Sequence, residues 1–223
     1  MTAPSVGQRV VAEFTGTALL VTTVVGSGIF AQRLSTDPGL QLLENSLATG
    51  AGLVALILCF QSVSAAFNPV VTIAEFVMGS VRSRDLAPLI GGQVAGGITG
   101  AIVANLMFDL DAVSIAQHQR SGSDLWLGEV VATFGLVLVI LRVTRRGRAD
   151  QVAFAVGGYI AAAYWFTSST SFANPAVSIG RIFSDTFAGI DPSSVPMFVA
   201  MQLIGAALAV ALVRFLERTP SHA

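Results

Sequence analysis

The sequence predicts an all-α membrane protein: six transmembrane helices plus two re-entrant half-helices, arranged as an inverted repeat. Three observations carry this reading: a composition poor in charge, six apolar runs of spanning length, and two short Asn-Pro-headed segments at matching places in the two halves. Of 223 residues, 53% are hydrophobic and 11% charged, with a mean hydropathy of +0.74. Soluble domains carry about 25% charged residues, so there is too little charge here to cover a globule. The 12 basic residues, all arginine, face 13 acids for a net charge of −1, which excludes a nucleic-acid footprint. One cysteine, Cys59, excludes an intrachain disulfide framework and a cysteine metal cluster. Two histidines, His118 and His222, leave little for metal binding or acid–base catalysis. No nucleophile–base pair or metal spacing is present; no enzyme activity, cofactor or metal is expected.

A spanning helix needs about 20 mainly apolar residues, and candidates lie near 10–30, 42–63, 86–108, 125–142, 152–168 and 195–217. The first follows Arg9 with no cleavage site after it, so it reads as a retained span and not a signal peptide. The runs are continuously apolar and do not alternate with period two, which favours helices over a barrel. Segments 68–79 and 174–184 are half the needed length and each opens with Asn-Pro, so neither crosses alone. Arg9, Arg82, Arg84, Arg142, Arg145, Arg146, Arg148, Arg214 and Arg218 fall on one side, against Arg33, Arg120 and Arg181 on the other. Retained cytoplasmic loops accumulate basic residues, so both termini are expected inside.

The chain reads as one membrane domain, 1–223, with internal repeats at about 8–108 and 125–218. Glu13 in the first span matches Glu129 in the fourth, Asn68-Pro69-Val70 matches Asn174-Pro175-Ala176, and Gln93 in the third span matches Gln202 in the sixth. Each half holds an odd number of spans, so the second copy enters the membrane inverted, and paired interrupted segments then point to the substrate path. Proline suits the first helical position and asparagine the N-cap before it. Two half-helices would therefore meet near the midplane with positive dipole ends facing a common passage. Irregular backbone at that depth is tolerated only when buried in protein or lining a water-filled cavity. Glu13 and Glu129 are costly in apolar spans. They serve either as acceptors holding the re-entrant loops or as a proton-relay pair, and their matched placement favours the scaffold role. Glycines at four-residue spacing through Gly92–Gly100 permit close helix approach.

Two Asn-Pro boxes, an intramembrane Glu in the first and fourth spans and Gln-x-x-Gly in the third and sixth make the whole chain resemble the aquaporin, or major intrinsic protein, family. The stretches Val25–Ile29, Leu47–Gly50, Met107–Leu110 and Tyr164–Pro175 resemble its bacterial aquaglyceroporin branch associated with arsenic-resistance genes. The resemblance implies a multi-pass protein of the cell membrane, a homotetramer with one pore per subunit, and passive flux of small neutral solutes amid membrane lipid. It departs from the family at Val70, usually Ala; at Ala66, usually His; and at Val177, where the family's filter arginine belongs. Counting back from the boxes, the other filter positions fall at Ala48 or Thr49, at Ala162 and at Ser171. None is a bulky aromatic or a histidine, so the filter is expected to be wide and weakly polar. Arg181, one turn further along, reads as a structural or vestibule residue, with partial replacement of the missing charge as the alternative; Glu75 stands at its place in the first repeat. The solutes implied are small polyols and hydroxides: arsenite as As(OH)3, glycerol, and water. The alternatives are a glycerol and water facilitator without an arsenic role, and a proton-coupled transporter using Glu13 and Glu129.

Overall fold

A computed structural model describes residues 3–217; Arg218 and His222, used above, lie outside the described residues. Eight helices follow in order: α1 Val6–Leu34, α2 Pro38–Phe60, α3 Pro69–Val77, α4 Ser83–Met107, α5 Ser123–Arg145, α6 Val152–Phe166, α7 Pro175–Gly180 and α8 Val195–Leu216. There is no strand among the described residues. α1, α2, α4, α5 and α8, with the 3-10 turn before α8, are long and apolar enough to cross a bilayer. The spans run longer than the apolar cores that predict them because capped polar turns extend them: Ser5 and Gln8 form a capping box on α1, and Asp37 caps α2 ahead of Pro38.

α6 is the exception, with 15 residues. At 1.5 Å per residue it covers about 22 Å, short of a hydrocarbon core of about 30 Å. It stops at Phe166, before the expected end at 168, because Thr167-Ser168-Ser169-Thr170-Ser171 is a run of weak helix formers whose side chains compete for backbone groups. Its N-terminal side is lengthened by a 3-10 turn over Ala149–Gln151.

The halves match element by element. α1 packs chiefly on α4 and α5 on α8, while α2 and α6 pack on each other between the halves. The two half-helices cross over, α7 lying against α4 of the other half and α3 against α8. Small residues set these distances: a Cβ on Gly97 of α4 would lie 2.5 Å from the Ala176 carbonyl of α7. Outside, large apolar side chains such as Leu19, Phe30, Leu47, Leu127, Phe154, Leu208 and Phe215 stand exposed, as a lipid-facing surface requires.

Gly16 of α1 has a more demanding neighbour, the Phe67 ring that precedes the first Asn-Pro box. Phe67 is 1% exposed, meets Phe60 edge-on at 6.0 Å, and has φ +49°. A methyl built on Gly16 would overlap that ring, and the left-handed backbone leaves Phe67 little room to turn. Gly16→Ala is expected to cost about 1–3 kcal/mol through overpacking and to displace Asn68. The checks are a lower melting temperature in detergent and reduced solute flux; parental values for both would show that the ring has room to spare.

Candidate channel lumen

Each half-helix begins with the cap its sequence dictates. Asn68 and Asn174 have extended backbones, and their side-chain oxygens accept from Val70 N at 3.1 Å and from Ala176 N at 3.0 Å. Pro69 and Pro175 occupy the first helical positions. The two asparagines also lock the halves together. Asn68 Nδ2 donates to the Ala173 carbonyl and Asn174 Nδ2 to the Phe67 carbonyl, both at 2.8 Å. One N–H of each amide is so used, leaving a second N–H per amide at the cavity wall both residues line. Val70 and Ala176 are fully buried and do not line that cavity; Val71 does.

The residues before the boxes, Phe67 at φ +49° and Ala173 at φ +46°, both sit in the left-handed region, a strain of about 1–3 kcal/mol for such residues. Glu13 and Glu129 hold these turns. Glu13 Oε1 accepts from Ser64 Oγ at 2.6 Å and Ala66 N at 2.9 Å, while Oε2 accepts from Phe67 N at 2.6 Å and Gln93 Nε2 at 2.8 Å. In the second half, Glu129 Oε1 accepts from Ser169 Oγ at 2.6 Å and Phe172 N at 3.0 Å, and Oε2 from Ala173 N at 2.9 Å and Gln202 Nε2 at 2.6 Å. Gln93 and Gln202 bridge onward to Thr72 Oγ1 and Ser178 Oγ at 2.8 and 3.1 Å. Both carboxylates are 0% exposed and neither lines the lumen.

One cavity runs from Arg9, Gln61, Ser80 and Thr144 at the arginine-rich end, past both asparagines, to Val177, Tyr164 and Arg181. Rows at four-residue spacing build its apolar wall: Thr49, Leu53 and Ile57 on α2, and Val152, Val156, Ile160 and Tyr164 on α6. A second cavity begins at Arg181 and opens among Asn45, His118, Arg120, Thr186 and Phe187. The division between the two cavities is taken as the constriction. Thr49 Oγ1 and Tyr164 Oη share a hydrogen bond of 3.2 Å, Val177 is 6% exposed, and the Ser171 hydroxyl has no protein partner.

Of Ala48 and Thr49, Thr49 lines the cavity and Ala48 does not. Ser171 and Val177 line it as well. Ala162 does not: it is exposed on the outer face of α6, because two residues along a helix turn a side chain by about 200° from the row carrying Ile160 and Tyr164. Two aromatic side chains outside the counted filter positions, Tyr164 and Phe172, also line the lumen. Sequence reasoning left Tyr164 and Phe172 unplaced, as the bulky side chains that would close the site if the filter were not wide; the Tyr164 hydroxyl could have placed it, since a buried phenol needs a partner and Thr49 on α2 supplies one. It also overlooked Arg120, which no local pattern marks.

Arg120 returns from the α4–α5 connection toward the second cavity. Its Nε donates to the Gly189 carbonyl at 3.0 Å and its Nη2 to the Phe187 carbonyl at 3.3 Å. Burial pushes its pKa down to about 10 while Glu129 and Tyr164 pull it up, so it stays charged at neutral pH. His118, in the same connection, is lowered from its ordinary value first by burial, then by the charges of Arg120 and Arg181, with Asp185 opposing.

An inverted pair of half-helices meeting at asparagine caps beside a cavity that runs from the arginine-rich end to Arg181, where a second cavity begins, is the architecture of a membrane channel. The sequence profile of the major intrinsic protein family matches residues 1–151 and 144–222. The aquaglyceroporin AqpS of Rhizobium meliloti (strain 1021) is 49% identical over 210 residues, 94% of this chain and 90% of that protein. The aquaporin AqpM of Methanothermobacter marburgensis is 27% identical over 243 residues, 95% and 98% of the two chains. Among solved structures, the aquaglyceroporin from Plasmodium falciparum superposes with a TM-score of 0.77 at 18% identity, covering 93% of this chain and 95% of that one. The chain belongs to the major intrinsic protein family: it is a multi-pass membrane channel and not an enzyme.

Proposed function

We propose that this channel passes small uncharged polyols and hydroxides passively, with glycerol, water and arsenite as As(OH)3 its solutes. The observation that carries the reading is the cavity that runs from the arginine-rich end past the two asparagine amides to Arg181. A solute leaving water needs donors and acceptors in place of its hydration shell. The free N–H groups of Asn68 and Asn174 supply donors, and the unpartnered Ser171 hydroxyl offers another polar contact near the constriction. The apolar rows on α2 and α6 face the carbon side of a polyol. Val177 in place of a guanidinium favours solutes larger than water, while Tyr164 sets the upper bound that the sequence alone leaves open. Arsenite is neutral at physiological pH and resembles a small polyol in size and hydrogen-bonding pattern. The relative AqpS, an aquaglyceroporin by name, is consistent with the glycerol part of this reading.

Light scattering from proteoliposomes challenged with water, glycerol and arsenite side by side tests it. Appreciable glycerol or arsenite flux with a low water-to-solute ratio is expected; fast water flux with both larger solutes excluded would contradict it. Val177→Arg sets a guanidinium beside Tyr164 and Thr49 and narrows the passage. It is expected to lower glycerol and arsenite flux by about tenfold and water flux by less, so an unchanged ratio in the same assay would count against the filter assignment.

A proton-coupled transporter built on Glu13 and Glu129 is disfavoured, since each carboxylate oxygen already accepts two hydrogen bonds away from the lumen. We also read the channel as a homotetramer in the cell membrane with both termini cytoplasmic. The orientation follows from the basic residues gathered at one end, where Arg9 pairs with Asp85 at 3.2 Å and Arg145 with Glu217 at 2.7 Å. Light-scattering mass in detergent and protease access to sealed vesicles check these two points.

A further inference from the structure

We propose that the cation barrier of this pore is Arg181, standing one helical turn beyond Val177, with Arg120 from the α4–α5 connection as its second charge. The proposal rests on the channel reading and deepens it by naming the residues that set charge selectivity.

Register comes first. Asn174, Val177 and Arg181 are spaced three and four apart, so they share one face along α7 and the 3-10 turn that follows, and all three line the lumen. Arg181 alone of the three also lines the second cavity, so a solute passing between the two cavities passes its side chain. Its position is fixed. Nε donates to the Ala188 carbonyl, and the guanidinium carbon lies 3.5 Å from the centre of the Phe172 ring. That ring is itself held edge-on by Phe198 at 5.2 Å, and the Phe172 N–H by Glu129. The scaffold that shapes the re-entrant loop thus also presents a flat aromatic seat for a cation.

Charge comes second. Among the described residues, neither Arg181 nor Arg120 has a carboxylate partner within ion-pairing distance, whereas Arg9, Arg82, Arg84, Arg142 and Arg145 all do. Arg120 lies over the same ring, at 5.1 Å, and its partners are neutral carbonyls. Two positive charges without a direct ion-pair partner so gather at one ring, where low dielectric surroundings strengthen their repulsion of a cation. Residue 75, in the corresponding place of the first repeat, is a glutamate that also lines the lumen, so repeat symmetry does not dictate the charge at 181. Steric and electrostatic selection are consequently separated along this pore: Val177, Thr49 and Tyr164 set width, and the arginines one turn outward set charge.

The test reads glycerol flux and potential-driven potassium leak in the same phosphatidylcholine proteoliposomes. The parent is expected to pass glycerol and to leak potassium at the rate of protein-free vesicles. Arg181→Gln, which keeps a donor for Ala188, should raise the ratio of potassium leak to glycerol flux by about tenfold; Arg181→Lys should return it to the parental ratio. A purely structural arginine would not produce that charge-dependent split. Arg120→Gln should give a smaller rise, and it serves as the test should neither Arg181 variant insert. Background leak in a glycerol-conducting Arg181→Gln channel overturns the proposal, as does background leak in Arg120→Gln where that variant is the test. Absence of glycerol flux in the parent overturns the channel reading beneath it.

Discussion

Glu129→Ala is expected to lose most of its folded population, seen as a sharply reduced monodisperse yield from detergent. The substitution leaves the Phe172 and Ala173 N–H groups without their acceptor, at about 1–3 kcal/mol for each buried donor. It also releases the left-handed turn at Ala173, whose strain the carboxylate opposes. Against a typical total stability of about 5–15 kcal/mol, two stranded donors and a slack loop are a large fraction. The geometry predicts a graded series across Gln and Ala. Both oxygens accept backbone donors, Oε1 from Phe172 and Oε2 from Ala173, so whichever way a glutamine amide turns, its NH2 faces one of these N–H groups. Glu129→Gln should therefore lie between parent and Glu129→Ala in melting temperature, and Glu13 should behave alike through Ala66 and Phe67. A fully parental Glu129→Ala would show that water or the loop itself satisfies those donors.

Asn174→Leu is the second large effect, and it falls on flux. The change removes the cap from Ala176 and Val177, the crosslink to the Phe67 carbonyl, and the donor at the middle of the lumen. An unreplaced hydrogen bond for a desolvating solute costs about 1–3 kcal/mol, and each 1.4 kcal/mol is about tenfold in rate, so glycerol flux should fall by roughly ten- to hundredfold. Asn68→Leu should match it because the crosslinks are reciprocal. Wild-type flux through a correctly inserted variant would remove these residues from the path.

What was legible in the sequence follows from how local the rule is. Asn before Pro caps a helix whatever surrounds it, and two such boxes at matched positions, with Glu and Gln in matching spans, describe the re-entrant scaffold before any coordinates. The lumen wall was harder. Counting back from Asn174 reaches Ala162, but the face of α6 that turns inward is set by packing against α2, where Gly50 and Gly157 bring the two helices close. That packing turns Ile160 and Tyr164 inward and Ala162 out. Arg120 was less legible still. Its approach to Phe172 depends on the path of the whole α4–α5 connection over the 184–191 segment, with Ala116 N donating to the Ile182 carbonyl at 2.8 Å and Asp191 N to the His118 carbonyl at 2.9 Å. Such long-range backbone pairing leaves no trace in residue spacing.

The measurement closest to the central claim is the initial rate of glycerol entry into proteoliposomes over a wide concentration range, with and without an imposed proton gradient. A passive lumen predicts rates that rise linearly without saturation, a low activation energy and no response to the gradient. Saturating entry accompanied by gradient-driven accumulation would contradict it, because a continuous open path cannot concentrate its solute.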